Sequence, residues 1–287
     1  MDDEEKHSIE HLKELAQKED ADKLAQGVVD YIKDVLGDLC NQPGAIFYNG
    51  RSTLKTGDIY LMGLNPGDDP VENEETINKT LNKWMSDPAN FSGYCDEAWS
   101  THRKTYEKGK APHQQHVKKL CKILCAKQES LDQEETSGKE KVRAVFSANA
   151  IFLRTQNVPQ LLKTPKIRDL RERCWRAHRL FLQIVKPKLI VCLGNYLAQD
   201  RSSFSILREW LVNDKHDVSE IKEQKLQNTN PPRYVKQFVY KNTFWGGQCC
   251  LVVGVPHPSY PIPAQLWGFL LEPGNLSFPH PNPLPRE

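Results

Sequence analysis

Apolar residues recur along this chain at two spacings, which separate predicted helices from predicted strands. Near the amino terminus a helical period predicts one or two helices, ended by the turn residues 41–44, from Leu24, Val28, Tyr31, Ile32, Val35 and Leu39. Short apolar runs predict strands at about 59–62, 143–147, 189–193 and 250–255, the second within a stretch from Val142 to Phe152. The chain therefore mixes helices and strands.

Two of these strands end in turn chemistry with a polar side chain just beyond. Asp58-Ile-Tyr-Leu-Met-Gly-Leu-Asn-Pro-Gly67 presents Asn65, and Cys250-Leu-Val-Val-Gly-Val-Pro-His-Pro-Ser259 presents His257. Parallel α/β sheets deliver such side chains to the crevice at the carboxyl ends of their strands. We expect Asn65 and His257 to lie within roughly 15 Å of each other, the reach of one bound nucleotide.

The order strand, Gly194, helix, repeated along the chain, predicts an α/β fold in which helices cover both faces of a mainly parallel sheet. Residues 235–240 and 243–255 are expected to form a hairpin, and 214–233 a loop. We divide the chain into a helical extension at 1–45, an α/β domain at 46–272 and a disordered, proline-rich tail at 273–287.

A basic segment follows the second strand and includes Arg168 and Arg171. Apolar residues share one face beneath it, so the arginines form the solvated side of a helix in the simplest interpretation. Contact with a DNA backbone is the alternative. Residues 1–40 hold five lysines and twelve carboxylates, a net charge of −7. Because the whole chain carries +2, the remaining residues carry +9. This positive charge favours a DNA partner only weakly.

Composition and residue patterns narrow the classes of protein to which this chain can belong. No apolar run reaches the 18 residues of a membrane span, and the acidic amino terminus does not resemble a secretory signal. A cytoplasmic protein is therefore expected, nucleoid-associated or, in a eukaryotic cell, nuclear. The eight cysteines include no CxxC and are interpreted as reduced thiols. Cys121 and Cys125 share a helix face but lack a second pair, so no metal and no cofactor are predicted.

Taken in order, strand-Gly63-Leu-Asn-Pro-Gly67, a strand ending at Asn149, strand-Gly194 and strand-His257-Pro-Ser259 resemble the uracil-DNA glycosylase superfamily. The first motif is similar to that of the mismatch-specific and single-strand-selective branches, and the last to that of the classical and single-strand-selective branches. The likeness spans roughly 57–271. It implies a three-layer α/β/α fold and a monofunctional enzyme that flips a base from DNA and hydrolyses its N-glycosidic bond, as in base excision repair.

The resemblance also implies roles for individual residues. Asn65 orients a water and His257 stabilises the departing base, while Asn149 reads the base edge. Base binding extends to Gly63, Leu64 and Ser259; DNA contact extends to Pro258, Tyr260 and Ile262, with Tyr260 or Ile262 as the wedge. Asn65→Asp is expected to keep or raise activity. The partner is DNA, single- or double-stranded, with no membrane, and the chain is expected to be a monomer.

Other interpretations of these residues stay open. Gly63 to Gly67 and His257 to Ser259 can be ordinary turns, and Asn149 can cap its own loop. The family's stacking aromatic is missing after the first motif, where Asp68-Asp69-Pro70 stands; Trp84, Phe91 and Tyr94 are the nearest candidates. A non-catalytic nucleic-acid-binding relative is the second hypothesis. A phosphate-cradling hydrolase is the third, although no Lys-Ser/Thr follows the glycines.

Overall fold

The computed structural model describes residues 3–18, 20–67, 75–101, 104–126, 137–155, 157–164, 166–195, 202–226, 233–242 and 247–258. Its helices are α1 Asp3–Gln17, α2 Ala21–Leu36, α3 Ile77–Ser86, α4 Gly93–Asp96, α5 Pro112–Ala126, α6 Ser137–Arg143, α7 Val158–Lys163, α8 Ile167–Val185 and α9 Ser203–Asn213. Its strands are β1 Ile59–Gly63, β2 Ser100–Thr101, β3 Lys104–Thr105, β4 Phe146–Asn149, β5 Leu189–Leu193, β6 Asp217–Val218, β7 Lys222–Leu226, β8 Arg233–Asn242 and β9 Gln248–Val255.

The main sheet has the strand order β4-β1-β5-β9-β8-β6, and β7 pairs with β8. Strands β4, β1, β5 and β9 are parallel neighbours, whereas β8 is antiparallel to β9, β6 and β7. The four predicted strands therefore lie side by side in one mainly parallel sheet, and the predicted hairpin is β8 with β9. Both predictions are confirmed.

Helices pack on both faces of this sheet because the central strands are apolar on both sides. In β1, Tyr60 and Met62 join the core that contains residues of α2, α8 and α9. Leu61, between them, joins a second core with residues of α5 and α6. Alternate side chains of a strand point to opposite faces, so one short apolar run supplies both cores.

The amino-terminal helices are anchored to α8 by a buried carboxylate. Glu5 accepts hydrogen bonds from Tyr31 at 2.8 Å and Arg176 at 3.0 Å. Burial raises the pKa of Glu5, but these two hydrogen bonds and the arginine charges outweigh it, so the pKa lies below its ordinary value. The extension at residues 1–45 thus shares the main core, while its division from the α/β domain stays a prediction.

Two local expectations are wrong. The stretch 142–152 is not one strand. Val142 lies within helix α6, and only residues 146–149 pair with β1. Residues 214–233 are not all loop, because β6 and β7 pair with β8. Strand β7 escapes the apolar pattern because its sequence, Lys-Glu-Gln-Lys-Leu, is exposed at four of five positions. None of the described helices combines the length and apolar character needed to cross a membrane.

Candidate functional site

The ends of the four parallel strands bring the two sequence motifs to one edge, which we call the carboxyl edge. Met62 of β1, Cys192 of β5 and Gly254 of β9 lie in one row across the sheet. Asn65 and His257 each follow this row by three residues. Since β5 alone separates β1 from β9, the two motifs leave the sheet about 10 Å apart, which is two strand spacings.

The Asn65 side chain is partly buried, and its amide nitrogen is held by the segment after β4. Nδ2 donates to the Thr155 hydroxyl at 2.9 Å and to the Pro66 carbonyl at 3.1 Å, with the Thr155 and Leu153 carbonyls at 3.3 and 3.5 Å. No described residue donates to Oδ1. The amide oxygen therefore retains its capacity to accept a hydrogen bond from water or ligand.

Backbone hydrogen bonds join the first motif to the end of β4. Ala150 donates to the Gly63 carbonyl and Ile151 to the Leu64 carbonyl, each at 2.8 Å. A Cβ on Gly63 would lie 2.7 Å from Asn149 Oδ1, which only glycine avoids. The turn at 63–67 and Asn149 thus form one tightly packed unit.

Asn149 is 1% exposed, with one amide hydrogen committed to the Ala45 carbonyl at 3.1 Å. Its Oδ1 is buried, and no donor among the described residues meets hydrogen-bond geometry there. Burial raises the pKa of the neighbouring Tyr48, and the proximity of Asn149 opposes that rise. Only the amide N–H can stabilise a phenolate in this way, so Oδ1 is an available acceptor. A ligand can reach it only after neighbouring side chains move.

A buried histidine, His178, contacts the backbone that directly follows Asn149. The His178 ring is fully buried, Nε2 lies 3.1 Å from the Ala150 carbonyl and Nδ1 lies 2.7 Å from the Tyr60 hydroxyl. A carbonyl only accepts, so Nε2 carries the proton and Nδ1 accepts from Tyr60. Burial lowers the His178 pKa to about 4, which keeps this ring neutral. No motif or spacing in the sequence points to this role.

On the other side of the edge, His257 stands next to Gly194 and two further histidines. Gly194 has φ +102°, and a Cβ there would lie 3.4 Å from His257 Cδ2. The His257 and His113 rings are 5.1 Å apart, edge to face. The neighbouring turn is held by His116, whose Nδ1 donates to the Pro258 carbonyl. His257 is exposed as a residue, yet the surrounding protein removes part of the water around its ring. This desolvation lowers the His257 pKa from the ordinary value.

Aromatic rings connect the two sides of the carboxyl edge. Tyr48 stacks on Tyr94 at 5.2 Å, Tyr94 is parallel to His113 at 6.3 Å, and Trp99 lies 5.4 Å from His113. Burial, followed by the nearby His257 and His116, lowers the His113 pKa to about 3. Sequence reasoning missed Tyr48, Trp99, His113 and His116. The spacing of the two histidines, three apart on a helix, was the available signal because it places them on one face.

The structure separates the three aromatic residues that the sequence suggested for stacking on a base. Trp84 stacks on Phe47 at 4.3 Å within the core on the other face of the sheet, so it does not line this edge. Tyr94 lies at the edge but is 1% exposed. Phe91 is partly buried, and no described ring stacks on it. Tyr48, partly buried and beside Asn149, is better placed than any of the three.

Most arginines of α8 make ion pairs within the protein. Arg171 contacts Glu209 at 2.7 Å, Arg173 contacts Asp38 at 3.0 Å, and Arg179 contacts Glu5 and Asp214 at 3.5 Å. These ion pairs account for the three arginines without DNA, but the side chains are partly buried, so this face is not the fully solvated one that the sequence suggested. Arg168 is exposed. Because α8 connects parallel strands β4 and β5, its first turn lies toward the carboxyl edge, so Arg168 remains a candidate for DNA contact.

Ser259, Tyr260 and Ile262 lie outside the described residues, so their predicted roles in base and DNA contact stay predictions. Pro258 is described and buried. Within the described ranges, no three His, Cys, Asp or Glu side chains are grouped so as to hold a metal ion. Comparisons with models of protein families, with curated proteins and with solved structures find no match to this chain.

Proposed function

We propose that this protein is a monofunctional DNA glycosylase, which hydrolyses the N-glycosidic bond of uracil or a related deaminated base and leaves an abasic site. One observation carries the proposal. Asn149 ends one strand of a mainly parallel sheet, and Asn65 and His257 follow two others at the same edge, in the chain order of the glycosylase motifs. The finer fold, a uracil-DNA glycosylase-like α/β/α sandwich, is part of the same proposal.

Cleavage of a base–sugar bond develops positive charge on the sugar and negative charge on the departing base. Asn65 is not a proton acceptor at neutral pH, so its contribution is to orient a water through Oδ1. The commitment of its Nδ2 to four protein oxygens supports this division of labour. The positioned water adds to C1′ of the sugar as the C1′–N bond breaks, and the base leaves with that electron pair. The proton of the added water passes to solvent, which also protonates the released base.

His257 acts on the departing base. Its lowered pKa favours the neutral ring at pH 7, and a neutral imidazole still donates one N–H. Donation to a pyrimidine oxygen stabilises negative charge as it develops there. Tyr48 is proposed as the ring that stacks on the flipped base, next to Asn149, which reads the base edge through Oδ1.

The deciding experiment is to incubate the purified protein with oligonucleotides that contain one uracil, in single strands, opposite adenine and opposite guanine, and to measure alkali-sensitive abasic sites. Matched thymine and cytosine strands are the substrate controls, and Asn65→Ala is the protein control. Cleavage that requires both uracil and Asn65 supports the proposal. Tight binding of the same strands without abasic sites would instead favour the non-catalytic nucleic-acid-binding relative.

A further inference from the structure

The side chain of Asn65 lies against the chain segment 153–155, which no sequence motif singled out. Four protein oxygens surround its Nδ2: the Thr155 hydroxyl at 2.9 Å and the carbonyls of Pro66, Thr155 and Leu153 at 3.1, 3.3 and 3.5 Å. The same segment is bound to the motif by backbone, since Thr155 N donates to the Pro66 carbonyl at 3.3 Å. Two amide hydrogens are thus shared among four acceptors.

The chemistry of these oxygens fixes which end of the amide faces them. Carbonyls only accept, so three of the four require the NH₂ group. The Thr155 hydroxyl could in principle donate to an amide oxygen, but its single proton is directed to the Asn157 carbonyl at 3.2 Å. It therefore accepts from Asn65. A reversed amide would set its oxygen against three or four acceptors, so Oδ1 must point away from the segment.

We infer that Thr155 is the positioning residue of the proposed glycosylase, because its hydroxyl, fixed by the Asn157 carbonyl, holds the Asn65 amide with Oδ1 directed outward to orient the hydrolytic water. The inference rests on the proposed function for its catalytic meaning. The orientation of the amide itself does not depend on that function and can be measured separately.

The test compares Thr155→Val, which removes the hydroxyl while keeping the shape, with Thr155→Ser, which restores it. Thr164→Val is the matched control, since the Thr164 hydroxyl also donates to a carbonyl, that of Gln160 at 3.4 Å, but has no contact with Asn65. Thr155→Ala replaces Thr155→Val if the valine variant fails to fold. Each full-length variant is measured for single-turnover cleavage of uracil-containing DNA, DNA affinity and urea unfolding midpoint.

We expect Thr155→Val to slow the single-turnover rate about tenfold, the loss of one neutral hydrogen bond, without weakening DNA binding. Thr155→Ser should restore the parent rate to within about threefold, and Thr164→Val should be unaffected. In an Asn65→Ala background, Thr155→Val should add almost no further loss, because the hydroxyl acts through the amide. An equal loss in both backgrounds, or a parent rate in Thr155→Val, would overturn the inference.

An activity-free measurement separates this inference from the proposed function. The two side-chain amide protons of Asn65, assigned by their disappearance in Asn65→Ala, should exchange slowly with solvent in the parent and faster in Thr155→Val. If they do so while the parent cleaves no uracil-containing strand, the glycosylase proposal fails and the positioning role stands without its catalytic meaning. Unchanged exchange in Thr155→Val rejects the positioning role whether or not the parent is active.

Discussion

The two sides of the carboxyl edge are held by different kinds of interaction. The amide side, Asn65 and Asn149, is fixed by hydrogen bonds to backbone carbonyls and to one hydroxyl. On the histidine side, the described contacts include ring packing of His113 with Trp99 and His257, and a hydrogen bond from His116 to the Pro258 carbonyl. Directional hydrogen bonds determine where an amide oxygen points, whereas desolvation by the surrounding protein determines whether an imidazole carries a charge.

The largest effect is expected at Asn65. Asn65→Ala should slow single-turnover cleavage about a thousandfold or more, since it removes the oriented acceptor. The structure changes the expectation for Asn65→Asp. A carboxylate would face three carbonyl oxygens at 3.1 to 3.5 Å, which should raise its pKa and reduce activity at pH 7.

The pH profile of Asn65→Asp decides between the two expectations. Repulsion by the carbonyls predicts a rate that falls as pH rises and the new carboxyl group ionises. A rate that instead rises with pH to match or exceed the parent would restore the sequence-based expectation, in which the carboxylate helps to activate water.

His257→Ala should reduce the single-turnover rate about a hundredfold to a thousandfold, because one preorganised donor to the departing base is lost. DNA affinity should change little, since the interaction forms mainly in the transition state. The exposed His7, on α1, supplies the control His7→Ala. A matched loss of affinity and rate would move His257 from catalysis to DNA binding.

His178 provides a test of stability on the amide side. Its pKa falls from 6.5 in the unfolded chain to about 4 when folded, so the unfolded chain binds the proton more tightly. Its contribution is complete above pH 6.5 and is lost as the pH falls toward 4, with about 2 kcal/mol lost between pH 7 and pH 5. Urea unfolding of His178→Gln should show a flatter pH dependence than the parent over this range. An equal pH dependence of stability in His178→Gln and the parent would contradict this role of His178.

Asn149→Asp should change base preference by about tenfold, the value of one hydrogen bond. A carboxylate presents only acceptors to the base, whereas the amide presents Oδ1 and the one hydrogen that the Ala45 carbonyl does not take. The measurement is the ratio of single-turnover rates on uracil and cytosine strands. An unchanged ratio at the parent rate would make Asn149 a structural residue that packs against Gly63.

The smallest effect is expected on α8. Arg168→Glu should weaken DNA binding severalfold and reduce the salt slope by about 1, as for one phosphate contact. Arg171→Glu should have less effect, because Arg171 is already paired with Glu209. Lys55→Glu is the control: Lys55 is exposed and precedes β1, so it lies at the opposite edge of the sheet. Equal effects at Arg168 and Lys55 would return α8 to a purely solvated role.

The sequence predicted the parts of this site that depend on local pattern. Apolar runs located β1, β5 and β9, and their ends located Asn65 and His257. The approach of His113 to His257 is different, because 144 positions separate them and tertiary packing alone brings α5 against the turn after β9. The sequence pattern also did not indicate the partners of the Asn65 amide, because Thr155 lies in a polar connection without periodicity.

The position of β9 in the sheet has a consequence for the order in which the molecule can be completed. This strand is the last of the described strands along the chain, yet it inserts between β5 and β8 near the sheet centre. During synthesis the apolar β5 edge therefore stays open until residues 248–255 emerge, a long-range closure that is slow and exposes an edge prone to self-association. The same closure brings His257 to the sheet, so an incomplete nascent chain that lacks β9 also lacks half of the site.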